Sequence, residues 1–375
     1  MSWIDVTYRI RASADSAAAV AHAIALEQSV EVPLEVVRDA FVAEHIVGRV
    51  DGVHERDDGT HDVRIRLATR TAGFDVAQTL NMLFGNSSLH AHVELIDVDF
   101  PSDFLARFSG PRFGIEGIRA MLGVERRALT CAALKPQGLP ADRLAALCYT
   151  LARAGVDVIK DDHGLADQDY APFAQRASAC QRAVARAWHE TGHRAAYAPS
   201  MVGSPAMLSE QAGIASDAGV AMVLLAPALI GMPAFAEVVR ERIDVPVIAH
   251  PAFAGSVRIA PAFMIGKWFR LLGADAVIFP GFGGRFAWDE STCGDIARNA
   301  RQPWANMRPA LPVPGGGMSV ERARELVAFY GDDVMLLIGG SLLGAPERVH
   351  ERAASFVRAV RETPEARGVS PAASV

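Results

Sequence analysis

The apolar run Val156-Asp-Val-Ile ends in four consecutive polar residues able to ligate a metal or move a proton: Lys160, Asp161, Asp162 and His163. A charge cluster at the carboxyl end of a buried strand is where a parallel barrel keeps its catalytic groups. A solvated loop with a helix cap would use the same residue types, so the cluster alone leaves both readings open. The same punctuation recurs along the chain. Lys135-Pro-Gln-Gly138 closes an earlier run, His250-Pro251 a later one, and Pro280-Gly-Phe-Gly-Gly-Arg285 another. Two glycine clusters, Pro314-Gly-Gly-Gly317 and Gly339-Gly340-Ser341, follow the last two runs. Such glycines let backbone N–H groups approach an anion closely, which predicts a phosphate site at Gly316, Gly317, Gly339 and Gly340.

The elements that must position these residues read as eight strands. They are 129–135, 156–162, 195–201, 221–227, 245–251, 274–280, 311–317 and 334–340, each β-branched or apolar and each closed by polar or turn residues. Segments of helical spacing lie between them, among them 141–154, 204–218, 320–330 and 347–360. Eight strand–helix units predict a (β/α)8 TIM barrel over residues 124–362. The first 123 residues have another rhythm. Val6–Ile10, Val63–Leu67 and Ala91–Phe100 alternate as strands, while Asp15–Leu26 and Thr79–Phe84 carry helical spacing, which predicts a separate α+β domain. The stretch 100–123 reads as a connector, and the Pro/Ala/Ser-rich stretch 363–375 as a mobile tail.

Composition narrows the class. Half of the 375 residues are hydrophobic and the formal net charge is −6, which argues against a polycationic face for nucleic acid. No secretory pattern opens the chain, and no apolar run reaches the roughly 20 residues a bilayer requires, so a cytoplasmic enzyme with neither membrane nor nucleic-acid partner is expected. Cys131, Cys148, Cys180 and Cys293 lack CxxC spacing and are expected as buried free thiols.

The ordered set Lys135-Pro136, Gly155-Val-Asp-Val-Ile-Lys-Asp-Asp162, the Arg285 loop, Pro312-Val-Pro-Gly-Gly-Gly317 and Ile338-Gly-Gly-Ser341 resembles the large subunit of RuBisCO. The closer resemblance is to the non-carboxylating RuBisCO-like proteins. Leu26-Glu27-Gln28-Ser29 and Phe84-Gly85-Asn86 extend it into the first domain, for which a ferredoxin-like fold is then implied. By this resemblance Lys160 would be carbamylated and, with Asp162, would hold Mg2+, with His163 standing where the family has a second carboxylate. Imidazole suits zinc, manganese or iron better than magnesium, so another divalent ion or a metal-free site stays open. An uncarbamylated Lys160 beside Asp161 and Asp162 is expected as the ammonium.

The resemblance further implies that Lys135 moves a proton at an enediolate stage, that His250 bonds substrate hydroxyls, and that Arg285 grips a substrate carboxylate. Asn86 and Glu27 would reach across a homodimer interface into the partner's barrel. Several positions depart from the carboxylase. Gln137 replaces a lysine, and Pro251, Ile278 and Gly315 replace groups that hold a second phosphate. Val32 and Pro33 stand for a Thr-Trp pair at the first. A ribulose-bisphosphate carboxylase is thereby excluded, and a substrate with one phosphate is expected. The reaction expected first is decarboxylation of a 3-oxo sugar acid phosphate of the 3-oxo-isoapionate 4-phosphate type, which would give Arg285 its carboxylate. Three alternatives stay open. One is transcarboxylation with hydrolysis of the same substrate. The second is 5-methylthioribulose-1-phosphate isomerase or 2,3-diketo-5-methylthiopentyl-1-phosphate enolase chemistry, with Ile278, Phe279 and Phe282 around an apolar substrate end. The third is a non-catalytic phosphate-ester binding protein.

Overall fold

The structure is a computed structural model and describes residues 2–362; the expected mobile tail, 363–375, lies outside the described residues. The N-terminal domain is a four-stranded antiparallel sheet of β1 (Trp3–Ile10), β2 (Arg49–Glu55), β3 (His61–Ala68) and β4 (Val93–Asp99), in the order β2-β3-β1-β4. With helices Ala14–Glu27 and Val76–Phe84 this is the ferredoxin-like arrangement. In β1 the even positions Ile4, Val6, Tyr8 and Ile10 are buried while the odd ones are not, the period of a half-covered strand. Sequence reading missed β2. Its alternation breaks at Gly52, where the pairing with β3 shifts register, and its side chains are mostly exposed.

All eight barrel strands are present, trimmed at their ends: β5 (Leu129–Leu134), β6 (Val158–Asp161), β7 (Ala196–Ala198), β8 (Val223–Leu225), β9 (Val247–Ala249), β10 (Ala276–Pro280), β11 (Leu311–Gly315) and β12 (Met335–Ile338). Parallel pairing joins β12-β5-β6-β7 and β8-β9-β10-β11. A Ser200–Leu224 bridge links β7 to β8, and β11 lies beside β12, which closes the circle. Alternation sorts every strand. Leu129, Cys131, Ala133, Val158, Ile278 and Leu337 fill the interior, while Leu134, Ile159, Val277 and Phe279 pack outward beneath the helices.

The supposed connector contains a structural plug. Helix Gly114–Leu122 packs Ile115, Ile118 and Leu122 with the barrel's interior residues, at the amino end of the strands. Its first turn is pinned by the buried Asp275 carboxylate, which accepts the N–H groups of Phe113 and Gly114 at 2.7 Å each and that of Val247 at 2.9 Å. This helix therefore belongs with the barrel rather than with the N-terminal domain. The two domains are joined by β4. Leu95 exchanges backbone hydrogen bonds with Arg258 and Ala260, and the buried Lys267 ammonium bonds Asp97 at 2.7 Å and Asp99 at 3.1 Å. All four cysteines are buried and free.

Candidate active site

Strands β5 and β6 set the centre of the site. In β6, Lys160 follows Val158 on the interior face, flanked in register by Ala133 of β5 and Ala198 of β7, two small side chains that leave room for the lysine to rise toward the mouth. Its ammonium donates to the Asp161 carbonyl at 2.8 Å and is 2% exposed. Burial lowers its pKa, and the attraction of Asp162 and Asp161 does not restore it. Desolvation is thus the larger effect on Lys160, and it opposes the neighbouring carboxylates that favour the ammonium.

Adjacent carboxylates have opposite fates. Asp161 points outward under the helices, where Arg176 Nε and the Tyr197 hydroxyl each donate to it at 2.8 Å and the Ser200 N–H at 3.0 Å; neither Asp161 nor Arg176 is exposed. It is a structural ion. Asp162 lies beyond the strand end and turns into the mouth, where it accepts from Lys135 Nζ, from Gln137 Nε2 at 3.1 Å and from the Gly164 N–H at 3.1 Å. Burial alone would raise its pKa, but these three donors outweigh that and hold it well below the usual carboxylate range.

His163 and His250 form a stacked pair, with ring centroids 4.2 Å apart and planes 10° from parallel. His250 Nδ1 accepts the Ala252 N–H at 3.0 Å, so the neutral ring carries its proton on Nε2 and is a hydrogen-bond donor. Burial, aided by the charge of Lys160, pushes its pKa down to about 2. His163 is lowered as well, first by burial, with Lys160, Lys135 and Arg285 adding repulsion. Two stacked neutral imidazoles follow.

The remaining residues frame this centre. The exposed Arg285 guanidinium lies over the Phe286 ring at 4.9 Å, and the Arg285 backbone N–H donates to the Gly316 carbonyl at 3.1 Å. Gly316 and Gly317 have φ of +80° and +103°, and a Cβ on Gly317 would meet Arg285 N at 2.6 Å, so the turn tolerates only glycine there. Gly339 lies against Lys135, whose Cε would be 3.7 Å from an added Cβ, and Gly340 opens the short helix after β12. Lys135, Lys160, Asp162, His163, His250 and Gly339 are thus drawn together. Glu27 and Asn86 are not part of that cluster; they bond each other at 2.8 Å on the N-terminal domain.

Sequence reasoning missed Gln28, which is 2% exposed. It donates to the carbonyls of Asn81 and Met82 and accepts the Ser87 N–H, which fixes the turn carrying Asn86 against the helix carrying Glu27. Its place inside the Leu26–Ser29 motif was the only available signal. The expected apolar pocket also needs correction. Only Ile278 faces the barrel interior; Phe279 packs on Tyr330, and Phe282 on Phe329 and Tyr330, in the outer layer.

Among the described residues no group of three His, Cys, Asp or Glu side chains is arranged to hold a metal. Were Lys160 carbamylated, it would be the residue to join Asp162 and His163 as donors to a divalent ion. The lowered pKa of Lys160 suits this, because the neutral amine is the form that adds CO2.

Comparison with known proteins agrees with this architecture. The family described as ribulose bisphosphate carboxylase large chain, catalytic domain, matches residues 114–370. The chain is 48% identical to ribulose bisphosphate carboxylase-like protein 1 of Rhodopseudomonas palustris, over 95% of this chain and 97% of that one. It is 49% identical to the 5-methylthioribulose-1-phosphate isomerase of Rhodospirillum rubrum, over 94% and 95%. The crystal structure of a Rubisco-like protein from Rhodopseudomonas palustris superposes with a TM-score of 0.91 at 44% identity, covering 97% of this chain and 99% of that one. With its barrel, its strand-end lysines and relatives of nearly equal length, this chain belongs to the RuBisCO large-chain family, among the RuBisCO-like proteins.

Proposed function

We propose that the protein isomerises 5-methylthioribulose 1-phosphate, or a close analogue with one phosphate, through an enediolate. The observation that carries this reading is the 49% identity, over almost the whole chain, to a relative named for that reaction. It favours the isomerase alternative over the decarboxylation expected first. Arg285, the residue that motivated a carboxylate, is exposed and stacked on Phe286.

The chemistry asks for a group that takes a proton from one carbon and a group that returns it at another. Lys160, a buried amine with a lowered pKa, suits the first role. Lys135, ion-paired with Asp162 just beyond the end of the next strand, suits the second. His250 Nε2–H supplies a neutral donor for a substrate hydroxyl. The backbone N–H groups of Gly316, Gly317, Gly339 and Gly340 are assigned to the phosphate. Ile278 and Leu337 offer the apolar interior surface that a methylthio end requires. If Lys160 is carbamylated, then with Asp162 and His163 it would hold Mg2+ or another divalent ion, whose positive charge would stabilise the enediolate oxygens. Glu27 and Asn86 are assigned to a partner's site in a homodimer, where Gln28 keeps them paired.

NMR of the purified protein in D2O, with 5-methylthioribulose 1-phosphate and 3-oxo-isoapionate 4-phosphate offered in parallel, tests the reading. Conversion of the methylthio sugar with retention of all its carbons is expected. Loss of the carboxylate carbon from the second compound, with the first untouched, would reinstate the decarboxylase. A rate that depends on bicarbonate and a divalent ion selects the carbamate form of Lys160; independence from both selects the free amine as base.

A further inference from the structure

Two glycine-rich loops at the barrel mouth are fastened together by their backbones. The Gly281 N–H donates to the Gly315 carbonyl at 2.8 Å, which continues the β10–β11 ladder, and the Arg285 N–H donates to the Gly316 carbonyl at 3.1 Å. No side chain fits between the loops. A Cβ on Gly284 would meet the Gly316 carbonyl oxygen at 2.3 Å, and one on Gly317 the Arg285 nitrogen at 2.6 Å.

Peptide geometry turns this fastening into an orientation. In a planar trans peptide the C=O and the N–H that follows it point in opposite directions, and the only cis bond among the described residues is Lys135–Pro136. With the Gly315 and Gly316 carbonyls turned toward the loop after β10, the N–H groups of Gly316 and Gly317 turn toward β12, which leads into Gly339 and Gly340. Among the described residues neither N–H is given to a backbone carbonyl. The Ser341 hydroxyl secures the same turn from the other side, donating to the Met318 carbonyl at 2.8 Å.

The loop after β10 needs an anchor to impose that orientation, because Gly283, Arg285, Phe286 and Ala287 are exposed. Arg322, at the start of helix Ala323–Tyr330, grips it from outside. Its Nη1 donates to the Phe282 carbonyl at 2.7 Å, and its guanidinium lies over the Phe282 ring at 5.1 Å. Glu325 holds the guanidinium in turn, accepting from Nε at 3.1 Å and from Nη2 at 2.7 Å. Gly283, at φ of +64°, leaves room for this grip; a Cβ there would lie 2.8 Å from Nη1.

We infer that Arg322 is a positioning residue for the substrate phosphate, an inference that rests on the assignment of the phosphate to these glycines. It fixes the 281–285 loop, the loop fixes the Gly315 and Gly316 carbonyls, and the carbonyls aim the N–H groups of Gly316 and Gly317 at the anion. Without the grip those two amides lose their single orientation, and the phosphate loses preorganised donors.

Calorimetric titration with inorganic phosphate and with ribose 5-phosphate, beside steady-state kinetics on 5-methylthioribulose 1-phosphate, tests this in wild type, Arg322→Gln, Arg322→Lys and Gly283→Ala. Arg322→Gln should weaken both ligands and raise KM about tenfold, with kcat within about threefold. Arg322→Lys keeps a donor for the Phe282 carbonyl but not the fork to Glu325, and should fall between. Gly283→Ala puts a methyl group against the guanidinium and should reproduce the Arg322→Gln result. A merely structural role for Arg322 predicts a lower melting temperature and a lower kcat, with KM and phosphate affinity as in wild type; that pattern overturns the inference. Equal phosphate affinity in all four proteins overturns it as well and leaves the proposed reaction standing. A wild type that binds neither phosphate nor ribose 5-phosphate overturns the phosphate assignment and the inference with it, whereas turnover of the methylthio sugar decides the reaction separately.

Discussion

Asp161 and Asp162 are neighbours in sequence, yet the structure predicts opposite phenotypes for their amide variants. Asp161→Asn keeps the shape and removes the charge that Arg176 faces. Arg176 is wholly buried; its other donors go to the carbonyls of Ala171 at 2.5 Å and Ala166 at 2.8 Å, neither of which carries a compensating negative charge. An uncompensated buried guanidinium costs about 3–5 kcal/mol, a large share of the roughly 5–15 kcal/mol by which domains are stable. At about 2–4 °C per kcal/mol for a chain of this order of size, the melting temperature should fall by about 10 °C. Scanning calorimetry measures this directly, with turnover assayed well below the transition. There Asp161→Asn should retain most of the wild-type rate, because its side chain points away from the mouth. Asp162→Asn should behave in reverse. Its carboxylate meets the partly exposed Lys135 at the mouth, so turnover should collapse while the melting temperature moves by only a few degrees. An Asp161→Asn protein that melts like wild type but has lost its activity would refute the assignment of the two faces of β6.

Three further outcomes are expected. Phe282→Ala should destabilise the fold by about 3–4 kcal/mol in denaturant titrations, since the ring packs on Phe329 and Tyr330, and should leave KM for the methylthio sugar within about twofold; a large KM change would restore Phe282 to the substrate pocket. Unfolding free energy should decline as pH falls below 6.5. Burial depresses the folded pKa of both His250 and His193, so the unfolded chain takes up their protons first; their contribution is complete above 6.5 and is lost progressively below it. His250→Gln should flatten that slope between pH 7 and pH 5, and an unaltered slope would place the titrating groups elsewhere. Lys160→Met should abolish turnover with the melting temperature preserved or raised, because it replaces a buried amine with an apolar side chain of similar length; retained turnover would remove Lys160 from the chemistry.

Much of this protein is determined locally and is legible in its chain. The barrel strands announce themselves as short apolar runs because a strand covered on both faces must be apolar on both, and Gly, Pro and charge mark where each run meets solvent. The helices between them show their buried stripe by spacing alone, and β1 shows its half-covered face by strict alternation. The strand-end chemistry of Lys135, Lys160 and the two glycine clusters follows from the same punctuation. β2 escaped because an exposed strand interrupted by a bulge at Gly52 has no apolar period to read. Tertiary structure decided which way each side chain faces and what surrounds it. Closure of the barrel sent Lys160 inward and Asp161 outward, made the 114–122 stretch a plug rather than a linker, and put Phe279 and Phe282 under helices instead of over substrate. It also lowered the pKa of Lys160 by burial and brought Arg127, His193 and Arg361 from separate segments to Asp157. The reason is common to all of these. Periodicity is a property of neighbours in sequence, whereas burial, pKa and charge balance depend on residues that only the closed fold brings within a few ångströms.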